Sequence, residues 1–101
     1  MRVLIACEFS GRVRDGFSRR GHDAVSCDFL PSEGDPSGSH YLGDVIDIVY
    51  EKWDMMIAFP PCTNLAGSGA RWWDEKQAEQ IRDLAFVQTL MDAPINKICI
   101  E

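Results

Sequence analysis

The sequence predicts a small three-layer α/β domain built on a parallel sheet in the order 3-2-1-4-5. Three observations lead there. Apolar, strand-like runs alternate with amphipathic helical stretches along the chain. Met55 to Phe59 is an unbroken apolar run, as expected for a central strand covered on both faces. Right-handed crossovers then place that strand beside the first one.

Residues 2–7 read as the first strand and Glu8 to Gly11 as a turn. Residues 12–20 read as a helix with Val13, Gly16 and Phe17 inward and Arg12, Arg14, Asp15, Arg19 and Arg20 outward. Gly21 stops it as a C′ residue. Residues 23–27 form a second strand that delivers Asp28 at its tip. The stretch 30–39, rich in Pro, Gly and Ser, is a loop long enough to be functional or mobile. His40 to Leu42 forms a short edge strand, and Asp44 caps one or two helical turns over residues 45–50. After Phe59 the two prolines, Pro60 and Pro61, end the strand because they cannot donate to a ladder. The loop to Trp73 carries Gly67, Ser68 and Gly69, which allow motion, and Trp72 and Trp73, which anchor it. A long helix runs to about Asp92, with Ala78, Ile81, Leu84, Ala85, Gln88, Leu90 and Met91 on its packed stripe and Glu75, Lys76, Glu79, Arg82 and Asp83 in water. Pro94 follows it, and Lys97 to Glu101 is the last strand.

One hundred and one residues make one domain, spanning 1–101, with a modest core. A hydrophobic fraction of 46% with 26% charged residues is that of a globular protein. No apolar run approaches the ~18 residues that span a membrane, and charge arrives too early for a signal peptide. A cytoplasmic setting is expected. The four cysteines, Cys7, Cys27, Cys62 and Cys99, include no Cys-x-x-Cys pair, which predicts no metal site. Cys7, Cys27 and Cys99 lie in apolar strand-like runs and are expected to be packed, reduced thiols. The net charge of −6 argues against this domain gripping nucleic acid unaided, since phosphate neutralisation dominates such affinity. A pocket that acts on nucleic acid presented by other elements remains compatible with it.

Two features point to chemistry. In open α/β sheets ligands bind outside the carboxyl ends of the strands, and Cys62 follows such an end, held by two stiff prolines. The first strand, turn, helix and second strand place an acid, Asp28, about twenty residues after the turn. That layout suits a nucleotide-like cofactor, with an acid for the ribose hydroxyls, although the turn holds one glycine where dinucleotide binders carry three.

Taken in order, these segments resemble the N-terminal catalytic half of the DNA cytosine-C5 methyltransferases, particularly compact, often phage-borne versions. Phe9-Ser10-Gly11 is similar to the family's Phe-x-Gly-x-Gly cofactor motif, with Val13 in place of the second glycine. The stretch from Gly21 to Asp28 resembles the one ending in the ribose-binding acid, and Phe29 follows it. Gly43-Asp44-Val45 resembles the segment that contacts adenine. Phe59-Pro60-Pro61-Cys62 is similar to the Pro-Cys motif that bears the nucleophile, followed here by Thr63-Asn64-Leu65 rather than a glutamine-containing run. Glu101 falls where the family begins its Glu-Asn motif, whose glutamate contacts the cytosine.

The resemblance implies a Rossmann-like fold dependent on S-adenosylmethionine, truncated after the fifth strand, with Cys62 and Glu101 catalytic. It implies that Phe9, Ser10, Gly11, Asp28, Phe29, Asp44 and Pro60 hold the cofactor. DNA would be engaged through a further C-terminal region or a second chain, because the family's arginine motif and target-recognition region have no counterpart in the 101 residues. A chain ending one residue past a buried strand is expected to be the front part of something larger, or to self-associate through the exposed sheet edge. Amino-methyltransferases of DNA carry a polar residue and an aromatic where Phe59 and Cys62 stand, and fit less well. The rival reading from another class is an acidic half-domain that acts as a binding module, such as an inhibitor of a nucleic-acid enzyme.

Overall fold

A computed structural model of the protein describes residues 1–60 and 73–101. Strand β1 (Arg2–Ala6) leads into helix α1 (Arg12–Arg19), then β2 (Asp23–Asp28), β3 (Ser39–Leu42), a 3₁₀ turn (Val45–Asp47), β4 (Met55–Ala58), helix α2 (Trp73–Met91) and β5 (Lys97–Ile100). All five strands are parallel, in the order β3-β2-β1-β4-β5. The fold is therefore α/β, with the strand order expected from the crossover rule.

Strand alternation divides the core into two layers. Val3, Ile5 and Ala24 point to one face, where Val13 and Phe17 of α1 cover them. Leu4, Ala6, Met56 and Ala58 point to the other, beneath Val45, Val49, Trp53 and the end of α2 at Leu90. Val3, Leu4, Ile5 and Ala6 are all fully buried, so β1 is the central strand. Chain order runs outward from β1 through β2 and β3, then restarts on its other side with β4 and β5. The order therefore reverses between β1 and β4, where open α/β sheets leave a crevice at their carboxyl ends.

Local signals explain the element ends. Gly21 has φ 84°, its N–H donates to the Ser18 carbonyl at 3.1 Å, and the His22 N–H reaches the Phe17 carbonyl at 3.2 Å. This is a Schellman closure of α1, and the Phe17 and His22 rings supply its usual side-chain contact at 5.8 Å. The Asp44 carboxylate accepts from the Ile46 N–H at 3.0 Å and opens the 3₁₀ turn.

Two helix-face expectations are corrected. Arg14, expected in water, is completely buried. Its guanidinium donates to the Asp15 carboxylate, to the Ser26 and Ser32 hydroxyls and to the Asp35 carbonyl, at 2.9 to 3.1 Å. The 30–39 loop is thereby wrapped over α1, and Gly34 and Gly38 are required because a Cβ at either would meet that guanidinium at 2.6 Å. In α2 the packed residues are Phe86 and Leu90, whereas Ile81, Leu84 and Met91 are more than half exposed and Ala85 and Gln88 are exposed too. Asp83, expected in water, is half-buried instead. Among the described side chains of α2, those that meet the sheet lie in its last turns; Glu75, Lys76, Ala78 and Glu79 lie outside the described side chains.

Candidate functional site

The carboxyl ends of β1, β2 and β4 open into a cavity of about 490 Å³. Phe9, Phe29, Phe59 and Phe86 give it aromatic walls, and Asp28, Asp44 and Asp83 give it three carboxylates. Its floor includes Cys7 and Cys27. Asp28 and Asp44 are brought together by backbone: the Gly43 N–H donates to the Asp28 carbonyl at 2.9 Å, and the Cys27 thiol reaches the Gly43 carbonyl at 3.4 Å. One Asp28 oxygen accepts from the Leu30 N–H at 2.9 Å, which orients the carboxylate at the strand tip. Among the described residues its other oxygen has no protein partner.

Cys7 turns the chain out of β1. It has φ 62°, and it is the only non-glycine with positive φ among the described residues. That conformation is strained for an L-residue, and such strain clusters at functional sites. It also swings Glu8 under the start of α1. The Glu8 carboxylate, nearly buried, accepts from the Val13 N–H at 2.9 Å, from the Arg14 N–H at 3.3 Å and from the Ser10 hydroxyl at 3.3 Å. The anion-binding end of the helix is thus filled by the chain's own carboxylate. Reading Glu8 as a plain turn residue missed this; an acid five and six residues before the N–H groups it meets has no short-range signature.

Of the residues expected to hold a cofactor, Phe9, Asp28, Phe29 and Asp44 line the cavity together. Ser10 faces a shallower depression beside Glu8 and Phe9, and its hydroxyl accepts from the Arg12 N–H at 3.3 Å. Gly11 (φ 76°) lies against the 30–39 loop, where a Cβ would come within 2.5 Å of the Gly34 Cα. Its glycine character is used for loop packing. Pro60 is buried at the end of β4 and does not line the cavity. Glu101 is exposed at the tip of β5, tied to β4 by its N–H to the Ala58 carbonyl at 3.0 Å. Cys62 lies outside the described residues, as do Pro61, Thr63 and the glycines, Arg71 and Trp72 of the following loop. Asp83 and Phe86, three apart on α2, join the cavity without having been expected there.

Burial pushes the Cys7 thiol up to about 11, helped by the Asp28 and Asp44 carboxylates. Burial, then the neighbouring Cys7 and the same carboxylates, push Cys27 up to about 12. Both stay protonated at neutral pH and are poor nucleophiles. Cys99, expected to be packed, is exposed, because its side chain points to the sheet face that α2 does not cover.

The raised thiols make a stability prediction. Below the unfolded value of 9.0 both states hold these protons and the thiols add no pH dependence. Above it the unfolded chain loses protons that the folded chain keeps, so stability falls as pH rises from about 9 toward 11 and 12. Urea midpoints at pH 8 and pH 10.5 should therefore diverge less for Cys27→Ala than for the parent. Equal divergence in both proteins would contradict the assignment.

No family model matches the chain, and no curated protein or solved structure matches it.

Proposed function

We propose that the cavity binds S-adenosylmethionine and that the protein serves methylation of cytosine C5 in DNA, with Cys62 as nucleophile and Glu101 as the acid on the base. The observation that carries the cofactor reading is the pairing of aromatic walls with three carboxylates in one cavity at the sheet's carboxyl end. An adenine ring fits between phenylalanines, Asp28 has an unused oxygen for a ribose diol, and a sulfonium and an ammonium are attracted by Asp44 and Asp83. A dinucleotide fits poorly. Its pyrophosphate would meet these carboxylates and a helix N-terminus already occupied by Glu8. This favours a Rossmann-like methyltransferase over a nicotinamide-dependent enzyme.

The chemistry accounts for the residue types. Cytosine C5 is a weak nucleophile until a thiolate adds at C6, which is the role of Cys62. A carboxyl group at Glu101, hydrogen-bonded to N3 and the exocyclic amine, stabilises charge that builds on the ring. C5 then takes the methyl group carried by the cofactor's sulfonium, and loss of the C5 proton expels the cysteine. The base must leave the duplex for both faces to be reached. DNA is the partner in this reading. The net charge of −6 means that most phosphate contacts come from elements other than this domain.

Calorimetric titration tests the cofactor step. S-adenosylmethionine or its demethylated product should bind saturably with one site, and NAD⁺ should not. Asp28→Ala should weaken binding roughly tenfold or more, at about 1–3 kcal/mol for a stranded polar partner. Absence of binding by the parent chain would overturn this reading in favour of an acidic binding module.

A further inference from the structure

We infer that His40 is a positioning residue for the cavity: acting through Leu30, it fixes the orientation in which Asp28 meets its ligand. The inference rests on the cofactor reading above and adds a residue that does not itself line the cavity.

The strand register builds the relay. His40 of β3 lies opposite Ser26 of β2, and Asp28 is two residues further along β2. The His40 Nδ1 is 2.7 Å from the Ser26 hydroxyl oxygen, and its Nε2 is 2.9 Å from the Leu30 carbonyl. A carbonyl only accepts, so Nε2 carries a proton and donates it to Leu30. In the neutral ring Nδ1 then accepts from the Ser26 hydroxyl, whose oxygen accepts in turn from the Arg14 guanidinium at 3.0 Å. Ser26 and Arg14 are completely buried, so the ring is braced from the core side.

Leu30 passes this constraint to Asp28. Strand β2 ends at Asp28, so the turn that follows lies beyond the ladder. Leu30 is held at both of its polar backbone groups: its N–H donates to an Asp28 oxygen at 2.9 Å, and its carbonyl accepts from His40. Pro31 follows, which keeps Leu30 out of the helical region and stiffens it between the two bonds. Setting the carbonyl therefore sets the N–H, and the N–H sets the rotation of the carboxylate. The Gly43 N–H on the Asp28 carbonyl anchors the backbone but leaves that side chain free to turn. A carboxylate held before the ligand arrives has less rotamer freedom to lose on binding.

Closing the 30–39 loop does not need this histidine. Arg14 ties the loop at Ser32 and Asp35, and the Glu33 N–H ties it to the Phe9 carbonyl. The bond from His40 falls instead on the residue that Asp28 touches.

Calorimetric titration with S-adenosylmethionine tests the coupling. His40→Leu should weaken binding about threefold to tenfold, the range of one lost neutral hydrogen bond. His40→Gln, whose amide can donate to the Leu30 carbonyl, should recover most of the affinity. In an Asp28→Ala background His40→Leu should change binding by less than about twofold, because the residue it acts through is gone. A merely structural histidine would weaken binding equally in both backgrounds, and that result would overturn the inference. Parental affinity in His40→Leu, or no recovery in His40→Gln, would overturn it as well. Exchange of the Leu30 amide proton, followed by NMR, reads the relay without a ligand. It should quicken at least about threefold in His40→Leu and return toward the parental rate in His40→Gln. If the parent chain binds no S-adenosylmethionine, the cofactor reading falls and this exchange rate decides the positioning. An amide indifferent to His40→Leu would then overturn it.

Discussion

Arg14→Met is expected to destabilise the fold by roughly 3–5 kcal/mol, the cost of removing one member of a buried charged network. Domains of this size have about 5–15 kcal/mol in total, so the variant should be marginal at room temperature. The side chain is fully buried, and its hydrogen bonds reach four different residues. Methionine fills similar volume but takes a donor from each of the Ser26 and Ser32 hydroxyls, the Asp35 carbonyl and the Asp15 carboxylate, and unties the loop from α1 at Ser32 and Asp35. Asp15 is held below its ordinary range by the Asp35 N–H and by Arg14, and it would lose the second of these. Lysine is no substitute, because a single ammonium cannot serve acceptors in so many directions. Urea denaturation followed by circular dichroism measures the loss, and a cost below about 1 kcal/mol would show the network to be incidental. The consequence reaches the site, since the same loop is tied to the Phe9 carbonyl through the Glu33 N–H at 2.7 Å.

Much of this architecture is legible in the sequence. The five strands follow from apolar runs and their flanking punctuation, and the strand order follows from crossover handedness. Gly21 and Asp44 announce a helix end and a turn start because capping is local chemistry, decided within a few residues. Arg14 was not legible. It sits among arginines on a short helix, and its partners Ser26, Ser32 and Asp35 are 12 to 21 residues away. Only the folded loop brings them to it. The packed side of α2 was misread for the opposite reason: apolar residues occur on both sides of the helix, and periodicity alone cannot say which side meets the sheet. At the cavity, Asp28 could be named because it ends a strand in the sequence, and Phe9, Phe29 and Asp44 because of the resemblance to family motifs. The close approach of Gly11 to Gly34 is not legible in the sequence, and neither is the role of Glu8, because its helix-capping reach is tertiary. Cys99 looked packed because alternation does not reveal which face of an edge strand is left uncovered.

Cys62→Ser carries the largest expected effect on activity, a loss of at least about 10⁴-fold in methyl transfer, as when a nucleophile that forms the covalent intermediate is removed. Glu101→Gln should lose about 10²-fold, the scale of one stabilising hydrogen-bond donor. Trapping with DNA that contains 5-fluorocytosine reads the nucleophile directly. The thiolate adds at C6 and C5 takes the methyl group, but fluorine cannot leave as the proton does, so the bond to sulfur persists. With S-adenosylmethionine and any further chain elements that bind DNA present, a covalent adduct should form at Cys62. It should vanish in Cys62→Ser and survive in Cys99→Ser. An adduct formed through Cys7, Cys27 or Cys99, or normal methylation by Cys62→Ser, would contradict the assignment of cytosine C5 chemistry to this chain.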